Sequence, residues 1–272
     1  MSLLVRSLAS GSSGNAFLVR SANSTVLLDA GLSARTLERR LKEEGVDPLA
    51  LSAIVLSHEH HDHAHGVGPL ARRYHLPVVC TSGTALALRE ALKGTQVLPL
   101  HADGVTIGDM DVWGFPLPHD AEEPAGVLLR HDRWTLGLAL DLGHWQPHIA
   151  EALQQADLVI VEANYDHAKL TREAPYPWGI KRRILSEYGH LSNLQAAQLL
   201  SAIMQDGRPR AAWLAHLSEK ANDHPKGVVQ TVQNYIDMAE VLMPKLAVAY
   251  RDKPSATWHS DHALQQHDLF AV

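Results

Sequence analysis

The 272-residue sequence has almost no cysteine, no long apolar run and no excess of positive charge. Because Cys80 is the only cysteine, an internal disulfide and a cysteine-rich zinc module are both excluded. No apolar stretch reaches the roughly 20 residues that a membrane-spanning helix needs. The N-terminal residues also lack the charged start and apolar block of a secretory signal. We therefore expect a reduced, cytoplasmic setting and no membrane partner.

The charge balance limits the partners of the chain. It carries 24 lysines and arginines against 30 aspartates and glutamates, a formal charge of −6. This balance argues against a generally basic nucleic-acid coat, although a local basic path remains open. Hydrophobic residues make up 46% of the chain, enough for a sizeable core, and no repeat or low-complexity linker divides it. We expect a single domain over residues 1–272, with residues 251–272 as a C-terminal tail.

Short apolar runs alternate with helix-like segments along the chain. The runs predict strands at Leu3–Ser7, Ala16–Arg20, Thr25–Asp29, Ala53–Leu56, Pro77–Cys80, Asp111–Leu117, Ala125–Leu129, Thr135–Leu140, Leu158–Glu162, Ala211–Ala215 and Leu246–Tyr250. The remaining periodic segments predict helices at Ala34–Glu44, Gly66–Tyr74, Gly83–Leu92, Pro147–Gln155, Trp178–Glu187, Asn193–Met204 and Pro225–Ala239. Many short strands mixed with helices indicate the α/β (α+β) class, with sheets covered by helices.

What the sequence does have is histidine, and the densest stretch is SHEHHDHAHG at residues 57–66. It follows a short apolar run that is predicted to be a buried strand. In an extended loop, residues two apart point the same way, so His58 and His60 are predicted to hold one ion. Asp62 and His63 can then turn toward a second ion close by. Imidazole nitrogen suits zinc, iron or manganese, and carboxylate oxygen favours harder ions.

The spacing His-x-His-x-Asp-His resembles the signature of the metallo-β-lactamase superfamily. The resemblance implies a four-layer αββα metallo-β-lactamase sandwich with a site for two metal ions at one edge. It also implies a division of this segment into ligands and residues outside the ligand set. The implied ligands are His58, His60, Asp62 and His63, and the residues outside the set are Glu59, His61 and His65.

The same pattern requires three more ligands downstream, and three polar residues at predicted strand ends are the candidates. His119 ends an extended segment, with His101 and His131 as rivals for its place. Asp141 follows an apolar strand, and a carboxylate can bridge two cations where an imidazole does so poorly. His216 follows another apolar strand and completes the ligand set of the second ion. This set leaves room for a shared water, the open position that a catalytic site needs.

Two further residues resemble the paired glutamate and histidine of the tRNA 3′-processing nucleases of this superfamily. Glu162 ends a predicted strand, and His190 stands just before a helix that begins with the capping-box pattern Ser192 and Gln195. The resemblance implies that Glu162 holds His190 in its charged or correct tautomeric form. His190 would then donate a proton to the leaving oxygen, and we expect Asp62 to be required for catalysis as well.

A narrower resemblance, over roughly residues 3–250, is to the bacterial YycJ/WalJ subfamily. It is carried by the histidine segment together with residues 10–15 (SGSSGN), 29–31 (DAG), 118–120 (PHD), 141–143 (DLG), 162–164 (EAN), 175–184 (PYPWGIKRRI), 189–193 (GHLSN) and 216–218 (HLS). It implies a DNA exonuclease with a 5′-to-3′ preference that uses a metal-bridging hydroxide between two divalent ions, Zn²⁺ or Mn²⁺. The chain departs from the usual pattern at Tyr165, where histidine is usual, and at His61, where serine is frequent.

Substrate phosphates require cations or amide donors. The strongest basic run, Lys181 to Arg183, follows two aromatic residues, Tyr176 and Trp178. Arginine matches phosphate oxygens and aromatic rings can stack on bases, so the run predicts contacts to a nucleic-acid substrate, DNA in the subfamily. The predicted phosphate contacts are Lys181, Arg182 and Arg183, and, in the glycine-rich turn near the N-terminus, Ser12, Ser13 and Asn15.

Two other functions remain open. The first is a hydrolase of a small ester, thioester, lactone or cyclic phosphodiester on the same metal site. The Glu162 and His190 pair and the basic run argue against it. The second is a metal-binding protein without catalysis, which is less favoured because all seven ligand positions are filled. A β-lactam hydrolase is also disfavoured, because Cys80 lies far from any ligand position in the sequence. The oligomeric state is left open.

Overall fold

A computed structural model describes residues 2–267 and places their strands in two sheets of seven. The strands are β1 Leu4–Ala9, β2 Ala16–Arg20, β3 Thr25–Leu28, β4 Ala53–Val55, β5 Val78–Cys80, β6 Val97–Pro99, β7 Val105–Ile107, β8 Met110–Pro116, β9 Ala125–His131, β10 Trp134–Ala139, β11 Leu158–Glu162, β12 Ala211–Ala215, β13 Lys245–Val248 and β14 Thr257–His259. The first sheet has the order β14-β1-β2-β3-β4-β5-β6, and the second has the order β13-β12-β11-β10-β9-β8-β7.

Each sheet has an antiparallel half and a parallel half. In the first sheet, β14 through β3 are antiparallel, and β3 through β6 are parallel. In the second sheet, β7 through β10 are antiparallel, and β10 through β13 are parallel. The strand β11 is buried at every position, which explains its continuous apolar run, because a parallel strand between two covered faces has no solvent side.

The helices lie outside the two sheets. They are α1 Ala34–Glu43, α2 His61–Ala64, α3 Val67–Tyr74, α4 Ser82–Ala87, α5 Pro147–Leu153, α6 His167–Arg172, α7 Trp178–Ile184, α8 Asn193–Ile203, α9 Pro225–Met238 and α10 Ser260–His267. The predicted capping box at the start of α8 is confirmed, because Ser192 and Gln195 bond each other's backbone in both directions. Among the described helices, none is long and apolar enough to cross a membrane.

Three apolar clusters define the layers. One lies between the sheets and includes Phe17 from the first and Trp213 from the second. Another packs α1 and α3 against the outer face of the first sheet through Leu37 and Leu70. The third packs α5, α8 and α9 against the outer face of the second sheet, with Leu200 among its buried residues. The predicted αββα sandwich is therefore confirmed.

The carboxyl ends of the parallel strands bring polar residues to one edge of the sandwich. Asp29 follows β3, Asp141 lies just past β10, Glu162 ends β11 and His216 follows β12. Asp29, Asp141 and His216 all have left-handed backbones, with φ of 59°, 56° and 53°. This conformation is uncommon for residues other than glycine, and such strain collects at functional sites. We therefore expect a functional site at the edge where these strands end.

Several short elements differ from the sequence predictions, and the helix α6 is one that was not predicted. The extended conformation predicted for the histidine segment ends at His60, and α2 begins at His61. This segment is rich in polar residues and has no periodic pattern of apolar side chains, so the sequence does not indicate its helical turn. The strands β6 and β7 were also not predicted, because each is short and includes exposed positions, so neither forms a continuous apolar run.

The predicted C-terminal tail contains a strand of the first sheet. Within residues 251–272, β14 pairs with β1 so that Trp258 lies opposite Val5 and is buried. Three residues are too few to show alternation, and their partner strand lies some 250 positions away in the chain. Residues 268–272 of the predicted tail lie outside the described residues.

Candidate metal centre

Backbone contacts hold the histidine segment against the glycine-rich turn near the N-terminus. The backbone N–H of Asn15 donates to the carbonyl oxygen of Asp62 at 2.7 Å. A Cβ added to Gly31 would lie 1.7 Å from the same carbonyl oxygen. Only glycine permits so close an approach of two backbones. Main-chain contacts therefore help to position the start of α2, which carries Asp62 and His63 and has no side-chain cap.

The first of three groups of potential ligands combines the early histidines with His119 and Asp141. Their ligand atoms all lie within 4.8 Å of one another, and the group is His58, His60, His119 and Asp141. His119 Nε2 lies 3.2 Å from His60 Nδ1, and His58 Nε2 lies 3.3 Å from Asp141 Oδ2. The other ring nitrogen of His119 donates to the Gly189 carbonyl at 3.0 Å, which leaves Nε2 as the ligand atom.

The second group consists of Asp62, His63, Asp141 and His216. His63 Nε2 lies 3.1 Å from Asp141 Oδ2, and His216 Nε2 lies 3.2 Å from Asp62 Oδ2. On its other side, His63 Nδ1 donates to Asp29 at 2.7 Å. A carboxylate behind a histidine ligand fixes the tautomer and raises the basicity of the ring. All seven predicted ligands thus meet at one edge, and Asp141 belongs to both groups, as a bridging carboxylate would.

The third group adds Glu162 and His190 to Asp141 and His216. Oε1 of Glu162 lies 2.7 Å from His190 Nδ1 and 3.0 Å from His216 Nδ1. Oε2 of the same carboxylate accepts two backbone N–H groups, those of Leu142 and Leu191, both at 3.1 Å. Glu162 is fully buried, whereas 18% of the His190 side chain is exposed. The structure thus pairs the two residues as the sequence predicted.

The ionisation of the histidines differs between the groups. In the first group, burial lowers the pKa of His58 and lowers that of His119 to about 4, so both rings are neutral near pH 7. In the second, burial also acts against protonation of His63, but the Asp29 and Asp141 carboxylates outweigh it and raise its pKa to about 10. Burial likewise opposes protonation of His190, whose pKa Glu162 and Asp141 raise to about 9.

The pKa of the buried Asp141 carboxyl shifts in the opposite direction, to a lower value. Burial would raise the pKa of Asp141, yet His216 and His63 hold it well below its usual range. The pKa of His216 is raised well above its ordinary value, because Asp141, Asp62 and Glu162 together outweigh its burial. The positive charge of the protonated histidines therefore balances the negative charge of the carboxylates in this half of the site. A cation bound there would have to displace those protons.

The chemistry of the donor set fits divalent cations. Within the described residues, His58 Nε2 and Asp141 Oδ1 are buried without a hydrogen-bond partner. Buried polar atoms are rarely left unpaired, and an ion bound beside Asp141 would provide the missing partner for both. Neutral imidazole nitrogens and carboxylate oxygens are ligands that zinc and manganese accept. The His/Asp groups around Asp141 could therefore hold divalent metal.

Six members of the three groups form the floor of a cavity of about 380 Å³: His60, Asp62, His119, Asp141, His190 and His216. Its wall is built by the glycine-rich turn, the loop before α7 and α7 itself. The wall residues are Ser12, Tyr176, Ile180, Arg183 and Ile184. A space of this size, with a few polar groups and a partly apolar wall, is typical of a small-molecule binding site.

Four predicted phosphate contacts do not line this cavity. Lys181 is buried and its Nζ donates to the Thr171 carbonyl at 3.1 Å, so its ammonium is turned away from substrate. Asn15 is also buried. Its Oδ1 accepts from Ser10 Oγ at 2.9 Å and its backbone N–H donates to the Asp62 carbonyl, so it holds the turn against the segment that carries the ligands. Arg182 is exposed outside the cavity lining, and Ser13 accepts from Arg251 Nε at 3.0 Å. Charge alone did not reveal which side of the helix or turn faces the site.

Ser12 and Arg183 are the two predicted phosphate contacts that do line the cavity. Arg183 is already paired with Asp120, through Nε at 2.5 Å and Nη2 at 3.1 Å. The rivals for the place of His119 lie elsewhere. His131 donates to the Asp109 carbonyl, and His101 is exposed.

The three residues that the resemblance left outside the ligand set are indeed absent from the three groups. Glu59 accepts from the backbone N–H of Glu122 at 2.8 Å, which ties the segment to the loop after His119. His61 is exposed and lines the cavity without belonging to any of the ligand groups. His65 lies one turn further along, beside His61.

Residues that support the ligands were not identified from sequence. Ser10 Oγ accepts from the backbone N–H of His216 at 2.9 Å, and Asn164 Nδ2 donates to the carbonyl of the same residue at 2.9 Å. Asp29 binds Ser57 as well as His63. The signal that could have revealed Asp29 is the same one that identified Asp141, an acidic residue just past an apolar strand.

Comparison with known proteins places this geometry in a family. The beta-lactamase superfamily domain matches residues 24–217. The chain is 35% identical to "Exodeoxyribonuclease WalJ" from Streptococcus pneumoniae over 221 residues, 79% of this chain and 81% of that protein. It is 35% identical to "Exodeoxyribonuclease YycJ" from Bacillus anthracis over 215 residues, 78% of this chain and 81% of that protein.

Among solved structures, the metallo-beta-lactamase fold protein YhfI from Bacillus subtilis superposes with a TM-score of 0.74. That match has 17% sequence identity and covers 95% of this chain and 100% of that chain. At 17% identity, the structural similarity supports only a shared fold, whereas the sequence matches support membership of the family. The chain therefore belongs to the beta-lactamase superfamily, within the family that includes the proteins named WalJ and YycJ.

Proposed function

We propose that this protein is a metal-dependent hydrolase of phosphodiesters, an exodeoxyribonuclease that degrades DNA in the 5′-to-3′ direction. The observation that carries the proposal is the convergence of seven potential ligands on Asp141, beside the Glu162–His190 pair. The names of the two relatives at 35% identity agree with this chemistry. The ligands alone are shared by several hydrolase reactions, so it is the acid–base pair that favours a phosphodiester.

Two divalent cations, zinc or manganese, are the proposed cofactors, one in each of the first two groups with Asp141 between them. Bound there, they would polarise the phosphodiester and lower the pKa of a shared water to supply hydroxide. The chain contributes the arrangement of the ligands. Asp29 and the Gly189 carbonyl hold His63 and His119 in fixed tautomers, and the Asn15–Asp62 backbone contact sets the position of α2.

His190 is the proposed proton donor to the leaving oxygen. Its Nδ1 is bound to Glu162 at 2.7 Å, so Nε2 is the ring nitrogen that can reach substrate in the cavity. The Glu162 carboxylate keeps the ring protonated and is itself fixed by two backbone N–H groups. General acid help of this kind contributes about 10²–10⁴-fold to turnover. Asp62 is proposed to be essential because it faces both His63 and His216.

An assay with end-labelled nucleic acid tests the proposal. The purified chain is incubated with 5′- and 3′-labelled single- and double-stranded DNA and RNA, with zinc or manganese or with a chelator. We expect metal-dependent release of nucleotides from 5′ ends of DNA. The same preparation is offered a thioester, a lactone and a cyclic phosphodiester. Faster turnover of one of these, with no cleavage of DNA or RNA, would contradict the proposal.

A further inference from the structure

The histidine segment contains a second, separate pair of side chains. His65 donates its backbone N–H to the His61 carbonyl at 3.0 Å, so the two residues stand one helical turn apart. His61 Nε2 and His65 Nδ1 lie 2.5 Å apart, and both side chains are exposed. Two histidines four positions apart on a helical turn present their nitrogens on one face, as the paired histidines of metal-binding helices do. The nitrogens share a hydrogen bond here, and because two nitrogens bound to one zinc ion lie about 3.3 Å apart, the rings would separate slightly as an ion replaces that bond.

The position of this pair is significant because the cavity wall has little free positive charge. His61 lines the cavity, together with Asp62 and His119 on its floor. Among the described residues of the lining, Arg183 is the one lysine or arginine, and Asp120 already holds its guanidinium. A phosphate that enters the cavity therefore meets no unpaired lysine or arginine in that wall.

We propose that His61 and His65 hold a further divalent cation at the mouth of the cavity, and that this cation anchors a substrate phosphate. Imidazole favours zinc, copper and nickel over magnesium or calcium. Two protein ligands leave the remaining positions of the ion to solvent or to a phosphate oxygen. The metal site depends on the geometry of the pair alone, whereas its phosphate-anchoring role rests on the proposed function.

Zinc counting tests the metal site independently of activity. Equilibrium dialysis of the full chain against zinc gives the number of ions per chain for the unaltered protein, for His65→Ala and for His101→Ala. His101 is an exposed histidine outside the cavity, so its replacement is the matched control. We expect His65→Ala to bind one ion fewer, however many the buried groups hold, and His101→Ala to bind the full number. An equal count for His65→Ala would overturn the site.

Steady-state kinetics on an oligonucleotide, with zinc in excess, tests the anchoring role. We expect His65→Ala to raise KM about tenfold with kcat unchanged, the order of one lost charge-assisted contact. An unchanged KM in a variant that has lost one ion would overturn that role. Absence of hydrolysis by every protein, including the unaltered one, would contradict the proposed function instead, and the zinc count alone would then decide whether the metal site exists.

Discussion

Oε1 of Glu162 lies 2.7 Å from Nδ1 of His190 and holds that ring at the edge of the metal cavity. The same oxygen lies 3.0 Å from His216 Nδ1. One fully buried carboxylate thus links the proposed proton donor to a potential metal ligand. Such coupling lets the protonation of His190 respond to changes at the metal site.

The first prediction concerns the pH dependence of turnover. Glu162 raises the pKa of His190, so the ring stays protonated well above neutral pH. A general acid works only when protonated, and activity should therefore fall as pH rises through that pKa. Removing the negative charge in Glu162→Gln lowers the pKa, so the alkaline limb of the pH–kcat profile should move to lower pH.

The companion variant is His190→Ala, which has no ring to titrate. It should slow kcat by about 10²–10⁴-fold and show no alkaline limb from this group. Its content of bound metal should match that of the unaltered protein. An alkaline limb that stays in place in Glu162→Gln would show that another group supplies the proton.

The second prediction concerns Asp29, which contacts His63 rather than any ion. Asp29→Asn keeps the shape of the side chain but removes the charge that orients and polarises the His63 ring. Loss of such a supporting carboxylate typically weakens metal affinity by about 10–100-fold. Competition with a chromophoric chelator measures this change. An unchanged affinity in a folded Asp29→Asn protein would mean that Asp29 serves stability alone.

The third prediction concerns the clamp on α2. In Gly31→Ala, the added methyl would meet the Asp62 carbonyl oxygen, so the start of α2 must shift. We expect loss of metal binding and of activity. Gly227→Ala is the matched control, because nothing lies within 4 Å of a Cβ at that helical position. Alanine there should be neutral or stabilising by up to about 1 kcal/mol.

Metal titrations and thermal unfolding of both variants distinguish a local from a global effect. Normal zinc affinity in Gly31→Ala would show that the contact with Asp62 does not set the ligand position. A melting temperature of Gly31→Ala far below that of Gly227→Ala would be consistent with the same backbone collision.

The fourth prediction is that metal binding releases protons. Without metal, the Asp29 and Asp141 carboxylates outweigh burial and raise the pKa of His63 to about 10, and neighbouring carboxylates raise the pKa of His216 well above its ordinary value. Both rings are therefore protonated near neutral pH and must lose a proton to bind a cation, so about two protons should be released. Affinity should fall as pH falls, because protons then compete better. Isothermal titration in buffers of different ionisation enthalpy measures the release, and heats independent of the buffer would contradict it.

Part of this site could be predicted from the sequence because ligands often follow buried strands. Asp141 and His216 each come just after a continuous apolar run, and the spacing of the histidine segment is specific. Asp29 follows a similar run, but its role depends on His63, which only the fold brings to it. Local pattern therefore located the strand ends but not the contacts between them.

The failures have physical reasons of the same kind. Lys181 and Arg183 are two positions apart in one basic run, yet the ammonium turns inward and the guanidinium lines the cavity. Which face of α7 is buried depends on how the helix packs, and a run of charges carries no information about that. The strand β14 is defined by pairing with β1, a contact between opposite ends of the described chain.

Anomalous diffraction from a crystal of the manganese-loaded protein would locate the bound ions directly. We predict one peak on each side of the Asp141 carboxylate, one beside His58, His60 and His119 and the other beside Asp62, His63 and His216. A loaded crystal with no peak at these residues, or with peaks only elsewhere, would contradict the two-metal site on which the proposed chemistry depends.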